Sequence, residues 1–253
     1  MQDQYAFDIG DFGKIGLLRA ITDSAANASL RCGIVWCMTS NVGNAGDGRH
    51  TAYLTRDVGY RDCDPVLYDA FVQNYLSGGR SVARLETCGA LPARTVCFGD
   101  QMPAKLALRR TEWIASALQA TAEAEVVLFD PDNGVVPQRQ ELSQSRTGVK
   151  YIWPHELVPF FARGQSVIVY QHATRAGTFS MQIASLASRL ARHPEMAHSQ
   201  WFALVWRPYS ARAYLFACQS RHAPILQRIA RGMAETAWRG KFEFMDIGRA
   251  DTH

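Results

Sequence analysis

The chain has 253 residues, of which 47% are hydrophobic and 20% charged, and its net charge is +4 at pH 7. These values are typical of a folded globular protein and argue against a disordered chain. No apolar run approaches the roughly 18 to 20 residues that a membrane-spanning helix needs, and the opening residues MQDQYAFDIGDF lack the basic and apolar regions of a secretory signal. We therefore expect a cytoplasmic protein with no membrane partner.

The first half of the chain alternates predicted helices and strands. Apolar spacing and Pro starts indicate the helices, and an Asp-Pro start marks the one at 64–76. The glycine-rich segment SNVGNAGDGRH, which follows the first strand, is predicted as a loop. In chain order, the predicted elements are a helix over 14–23, a strand over 30–38, a helix over 64–76, short strands over 81–86 and 94–99, and a helix over 103–122.

The second half continues the alternation and ends in a hairpin. The strand VVLF at 126–129 is apolar throughout, which indicates burial on both faces, as in a parallel sheet. A Pro-Tyr-Ser turn divides the apolar segment 201–219 into two strands, which predicts an antiparallel hairpin. The remaining predicted elements are helices over 153–164, 179–193 and 223–238, and strands over 165–172 and 242–248.

This order of elements predicts one α/β domain over residues 1–253. Its mainly parallel, Rossmann-like sheet is flanked by helices and carries an antiparallel hairpin near the C-terminus. Six cysteines occur without any CxxC pair, which favours reduced thiols over a zinc or disulfide site. In open α/β sheets, ligands bind beyond the carboxyl ends of the strands. The polar residues that follow each strand are therefore the candidates for chemistry.

The segment after strand 126–129 is the strongest of these candidates. Asp130, Asp132 and Asn133 follow the strand directly. The two carboxylates suit a hard cation such as Mg²⁺ or Mn²⁺, whereas one carboxylate and the amide suit an amino group or a ribose. The alternative is a turn, because Asp, Pro, Asn and Gly all favour turns.

Three other segments are expected near the same edge of the sheet. The glycine-rich loop offers Gly43, Gly46, Asp47 and His50, although such a loop needs no ligand. His172 follows the next predicted strand and is either a general base, a metal ligand or a structural residue. Asp11 either caps the nearby helix or lies over the ligand end of the sheet, in which case Lys14 would face an anionic substrate or cofactor.

The layout resembles a Rossmann-like methyltransferase domain. The features are the helix that begins through GDFGKIGLL, the glycine-rich loop after the first strand, the apolar strand that ends in Asp-Pro, and the late hairpin. It is similar to the large-subunit ribosomal RNA adenine-N6 methyltransferases and the three-Cys-motif partner proteins. Gly10-Asp11 and Asp130-Pro131 match those families' motifs. At the family's DPPY motif this chain reads Asp-Pro-Asp-Asn, without the second proline and the aromatic residue.

The resemblance implies methyl transfer from S-adenosylmethionine to a nucleotide or nucleic acid. Asp130 would orient the acceptor amine, Asp132 and Asn133 would complete the pocket, and His172 would act as base. Gly43, Gly46, Asp47, His50, Asp11 and Lys14 would form the cofactor side. Two alternatives remain: a Mg²⁺- or Mn²⁺-dependent glycosyl- or phosphoryl-transferase or nuclease with Asp130 and Asp132 as metal ligands, and a degenerate fold that serves as a binding protein.

Overall fold

The computed structural model describes residues 1–23, 30–40, 48–56, 59–103, 107–137, 148–175 and 177–248. Its helices and strands alternate along the chain, as the sequence pattern predicts. The helices are α1 (Ile9–Thr22), α2 (Pro65–Leu76), α3 (Val82–Thr87), α4 (Ala107–Ala120), α5 (Pro154–Ala162), α6 (Phe179–Ala191) and α7 (Ala223–Glu235). The strands are β1 (Cys32–Trp36), β2 (Val96–Phe98), β3 (Val126–Asp130), β4 (Gly134–Val135), β5 (Tyr151–Ile152), β6 (Ser166–His172), β7 (Gln200–Trp206), β8 (Arg212–Cys218) and β9 (Phe242–Gly248).

Seven strands form one mixed sheet in the order β2-β1-β3-β6-β8-β7-β9. The first four strands in this order are parallel, and β8, β7 and β9 join by antiparallel pairing. The predicted late hairpin is confirmed, with β8 inserted between β6 and β7. The fold is therefore α/β and Rossmann-like. It is less parallel than predicted, because the hairpin and β9 add antiparallel pairing to nearly half of the sheet.

Helices cover both faces of the sheet, and each face carries its own apolar core. The alternation of β3 shows the division, because Leu128 faces one core and Phe129 the other. Residues of α1, α2, α3 and α7 pack in the first core, and residues of α4, α5 and α6 pack in the second. All five side chains of β3 are buried, as its unbroken apolar pattern predicts.

Two predictions from the sequence are wrong in detail. Residues 81–86, predicted as a strand, lie largely in helix α3, because Ser81 caps it by accepting a hydrogen bond from the Arg84 amide. Helix α1 begins at Ile9, before the predicted start at 14, because its cap is Asp8 and not Asp11. No helix of the described part of the chain is long and apolar enough to cross a membrane.

Candidate functional site

A cavity of about 380 Å³ opens at the carboxyl ends of β3 and β6. The first turn of α1, the segment 48–50 and the beginning of β8 close its other sides. This is the edge of the sheet at which polar residues from separate strands were expected to meet. The sequence-predicted residues that line it are Asp11, Lys14, His50, Asp130, Asp132, Asn133 and His172. The predicted loop residues Gly43, Gly46 and Asp47 lie outside the described residues.

A buried lysine shared by two carboxylates forms the floor of the cavity. Lys14 Nζ lies 2.6 Å from Asp11 Oδ1 and 2.7 Å from Asp130 Oδ2, and all three residues are at least 95% buried. The ammonium group also lies 5.1 Å from the centre of the Trp36 ring. Burial disfavours the charge on Lys14, but the two carboxylates outweigh that effect and raise its pKa above the ordinary value. Lys14 therefore stays positive.

The two carboxylates of this group differ in their free oxygens. Burial raises the pKa of Asp11 to about 6 against the opposing effect of Lys14, and its Oδ2 is buried without a partner in the described structure. Asp130 Oδ2 accepts a hydrogen bond from Lys14 Nζ. No described group hydrogen-bonds its Oδ1, and that atom is not fully buried. Asp130 therefore presents one open acceptor to the cavity at the end of β3.

Asp132 is held by the N-terminal segment. Its Oδ1 lies 2.6 Å from the Met1 amine, and its Oδ2 accepts hydrogen bonds from Gln2 Nε2 at 2.8 Å and Thr39 Oγ1 at 3.1 Å. Burial raises the pKa of this carboxyl, but the ammonium group and the two hydrogen bonds outweigh burial and hold the pKa below its ordinary value. Asp132 is therefore a charged residue that links the turn to the N-terminal segment.

The turn after β3 is held by hydrogen bonds to Lys150 and Gln171 that the sequence did not reveal. The Asn133 amide donates to the Lys150 carbonyl at 2.9 Å, where β4 pairs with β5. Gly134 has φ 104°, and a Cβ atom there would overlap the side-chain amide of Gln171. The Val135 amide donates to Gln171 Oε1 at 2.9 Å. Because Gln171 lies on β6, this contact fixes the turn next to His172.

His172 occupies the end of β6 beside the hairpin. Its Nδ1 is 3.0 Å from the Tyr170 hydroxyl. Burial lowers the pKa of His172, and the neighbouring Arg212 guanidinium lowers it further. Burial also raises the pKa of Tyr170 to about 12. The imidazole is consequently neutral and the phenol protonated near pH 7, so one ring nitrogen of His172 carries no proton.

The loop side of the cavity is held by an aromatic stack. The His50 ring lies 4.3 Å from the Tyr209 ring at an interplanar angle of 29°. Tyr209 lies at the tip of the β7–β8 hairpin with φ 63°, a left-handed conformation that non-glycine residues seldom adopt. The Ile9 amide donates to the His50 carbonyl at 3.1 Å and so joins this loop to the first turn of α1.

Sequence reasoning missed several residues that line the cavity. The missed residues are Met1, Tyr5, Asp8, Gly48, Arg49, Lys150, Tyr170, Ser210 and Arg212. Arg212 carried a readable signal, because it is a charged residue at the start of the otherwise apolar strand RAYLFAC. Arg49 and Lys150 carried none, since isolated basic residues in loops are ordinary surface features.

The acidic residues predicted as metal ligands already have positive partners. Asp130 pairs with Lys14, and Asp132 pairs with the Met1 amine. Among the described residues, no group of three or more His, Cys, Asp or Glu side chains is placed to hold a metal ion. A metal at both residues would have to displace a partner of Asp132, whereas Asp130 keeps one oxygen open. The metal alternative remains a prediction.

Comparisons with known proteins extend this description only slightly. No protein-family model matches the sequence, and no curated protein matches it. Among solved structures, the chain is similar to protein LPL1258 from Legionella pneumophila str. Philadelphia 1, assigned to the family DUF519. The two share 9% identity and a TM-score of 0.49, and the match covers 97% of this chain and 99% of that one.

Proposed function

We propose that this chain is a group-transfer enzyme of methyltransferase type that acts on an amino group of a nucleotide or nucleic acid. The observation that carries the proposal is the position of Asp130 at the carboxyl end of β3. One of its oxygens is fixed by Lys14, and the other is open to the cavity. An amine that donates a hydrogen bond to the open oxygen would be oriented by it. The carboxylate would also stabilise positive charge that develops on the nitrogen.

The fold and the charges of the cavity support this assignment. Helix α1, the apolar strand β3 that ends in Asp130, and the late hairpin are among the features on which the resemblance to methyltransferases depends. When Asp11 is ionised, Asp11 and Asp130 carry one more charge than Lys14 neutralises, so the floor of the cavity is suited to a cationic ligand. His172, neutral near pH 7, would accept the proton that the amine loses.

S-adenosylmethionine fits this charge pattern, because its sulfonium group is a cation. In the proposal it supplies the methyl group, and Asp11, Lys14 and His50 are the described residues that line the cofactor side. Asp132 and Asn133 hold the turn that carries Asp130, through the N-terminal segment and β5. The residues of this chain thus bind, orient and deprotonate the acceptor.

A thermal-shift titration tests the proposal. S-adenosylmethionine at about 100 times its Kd should stabilise the native protein by about 2.7 kcal/mol and raise Tm accordingly. Mn²⁺ should not stabilise it. A protein stabilised by Mn²⁺ and indifferent to S-adenosylmethionine would support the metal-dependent alternative instead. If neither ligand raises Tm, the result would favour a binding protein.

The acceptor role of Asp130 is tested by substitution. At saturating S-adenosylmethionine, Asp130→Asn should lower methyl transfer to adenine-containing RNA by about 10²-fold or more, because the carboxylate charge is lost. Asp69→Asn is the matched control, since Asp69 is exposed and pairs with Arg61 on the surface. Equal transfer rates in the two variants would remove Asp130 from the proposed mechanism.

A further inference from the structure

Arg212 is a buried guanidinium group with too few partners. It begins β8, is 7% exposed and lines the cavity. Its Nη2 donates to Ser210 Oγ at 3.0 Å, which is its one side-chain hydrogen bond among the described residues. Its Nε is buried and has no hydrogen-bond partner among those residues. Arginine carries five N–H donors, and buried polar groups are nearly always hydrogen-bonded. The arrangement leaves donors for a group that enters the cavity.

The nearest carboxylate does not satisfy Arg212. Asp8 Oδ1 lies 3.8 Å from Arg212 Nη1, which is beyond hydrogen-bond distance. Asp8 is the cap of α1, and the same oxygen accepts from the Gly10 amide at 2.6 Å and the Asp11 amide at 3.3 Å. Its position is therefore fixed by the helix. Gly10 leaves the space that the guanidinium group occupies, because a Cβ atom there would overlap Arg212.

Two further cations line the same cavity and have no carboxylate partner among the described residues. Arg49 and Lys150 form no ion pair with any described residue. By contrast, the carboxylates Asp11 and Asp130 share Lys14, and Asp132 pairs with the Met1 amine. Each of these carboxylates thus has a positive partner, whereas Arg49 and Lys150 have no carboxylate partner in the part of the chain that the structure describes.

We infer that Arg212 anchors an oxyanion of the ligand, with Arg49 and Lys150 at the rim of the same subsite. A planar carboxylate or a phosphate matches the fork of the guanidinium donors. The contacts of Arg212 described above support the anion subsite itself. The identity of its source rests on the proposed function: a nucleotide phosphate or the carboxylate of S-adenosylmethionine.

Paired probes distinguish these two sources by calorimetry. AMP and adenosine differ by one phosphate, and S-adenosylmethionine and its decarboxylated form differ by one carboxylate. The wild-type protein should bind the anionic member of one pair about tenfold or more tightly than its partner, the difference that a charge-assisted contact supplies. The pair that shows this preference identifies the source.

Arg212→Gln should abolish the preference in that pair and leave binding of the member without the anion within about twofold. Arg207→Gln is the matched control, because Arg207 lies on the same hairpin, is exposed and pairs with Glu243. Equal affinities within both pairs of probes, or an unchanged preference in Arg212→Gln, would overturn the inference.

A direct measurement covers the case in which Arg212→Gln does not fold. Inorganic phosphate added to ¹⁵N-labelled wild-type protein should shift the Arg212 Nε–H resonance, assigned by its absence from Arg212→Lys. If phosphate and both anionic probes leave the Arg212 resonance of the wild-type protein unshifted, there is no anion subsite at this residue. Phosphate binding without any response to S-adenosylmethionine would leave the subsite and reject the methyltransferase proposal. Stabilisation by S-adenosylmethionine while phosphate and both anionic probes leave the Arg212 resonance unshifted would leave the methyltransferase proposal and reject the subsite.

Discussion

At the scale of single residues, the site is governed by the need to pair buried charges. Taking an ammonium group out of water costs several kcal/mol, so it persists in the interior only with close partners. Lys14 meets this condition with two carboxylates, one of them 116 residues away along the chain. The sequence placed Lys14 near the ligand as a contact for an anion. Its described partners are instead carboxylates of the chain itself.

Replacing Lys14 tests this charge balance. Lys14→Met should lower the free energy of unfolding by about 3–5 kcal/mol at pH 8, because Asp11 and Asp130 would remain buried without a cation. The loss should shrink as pH falls toward 5. Without Lys14 the pKa of Asp11, which burial already raises, rises further in the folded state, so the native variant binds more protons than its unfolded state, and acid stabilises it. Urea denaturation across this pH range measures the effect.

Lys150→Met is the control for Lys14→Met. Lys150 lines the same cavity but has no ion pair in the described structure, so its substitution should change stability by no more than about 0.5 kcal/mol. Similar losses in the two variants, or a loss in Lys14→Met that does not vary with pH, would contradict the account of the buried charges.

At the scale of elements, helix α1 determines how closely the hairpin approaches the site. Gly10, Gly13 and Gly16 recur every three residues and form one face of the helix. Cβ atoms at these positions would overlap Arg212, Trp206 and Trp238 respectively. The glycines cost helix propensity, at about 1 kcal/mol each relative to Ala. In return they let the helix lie against the hairpin, which brings Asp11 and Lys14 to the end of β3.

Gly16→Ala should destabilise the protein by about 1–3 kcal/mol, because the added methyl group overlaps the buried Trp238 ring. Gly232→Ala is the matched control within α7, where a Cβ atom meets nothing within 4 Å. The free energy of unfolding of that variant should rise by roughly 0.5–1 kcal/mol, because alanine lowers the backbone entropy of the unfolded chain. Thermal denaturation of both proteins provides the comparison, and a destabilised Gly232→Ala together with a neutral Gly16→Ala would refute this packing.

The errors of sequence interpretation are also found at this scale. Residues 81–86 alternate over too few positions to separate a strand from one and a half helical turns, whereas the cap at Ser81 was readable. The strands β4 and β5 have two residues each, so no periodicity could reveal them. They pair with each other, and the Val135 amide of β4 donates to Gln171 Oε1, which holds the Asp130 turn against β6.

At the scale of the whole molecule, the two apolar cores share one sheet. Leu128 and Phe129 are neighbours on β3, yet they belong to the cores on opposite faces. Loss of either core would expose the same central strands to water. We therefore expect the chain to unfold as one cooperative unit, as the prediction of a single domain over 1–253 requires.

Leu128→Ala and Phe129→Ala should each lower the free energy of unfolding by about 2–5 kcal/mol. In both variants, near- and far-ultraviolet circular dichroism should report one coincident transition. Leu76 is 67% exposed, so Leu76→Ala should change the free energy of unfolding by no more than about 0.5 kcal/mol. Two separated transitions, with each substitution affecting a different one, would show that the faces fold independently.

The sequence by itself determined most of the elements and the edge of the sheet at which the polar residues meet. Apolar periodicity marks helices and strands locally, and parallel strands bring their carboxyl ends to one side. Asp130, Asp132, Asn133 and His172 could be placed together on these grounds alone. The late hairpin was readable for the same reason, because its two apolar runs are separated by a turn.

Only the tertiary structure decided which charges are paired and which are open. Lys14 meets Asp130, Asp132 meets the Met1 amine, and Arg212 reaches the first turn of α1. These partners are distant in the sequence, so local propensity and periodicity say nothing about them. Their meeting depends on how closely helix, sheet and hairpin pack. That packing is set by long-range contacts, among them the approach that the glycines of α1 permit.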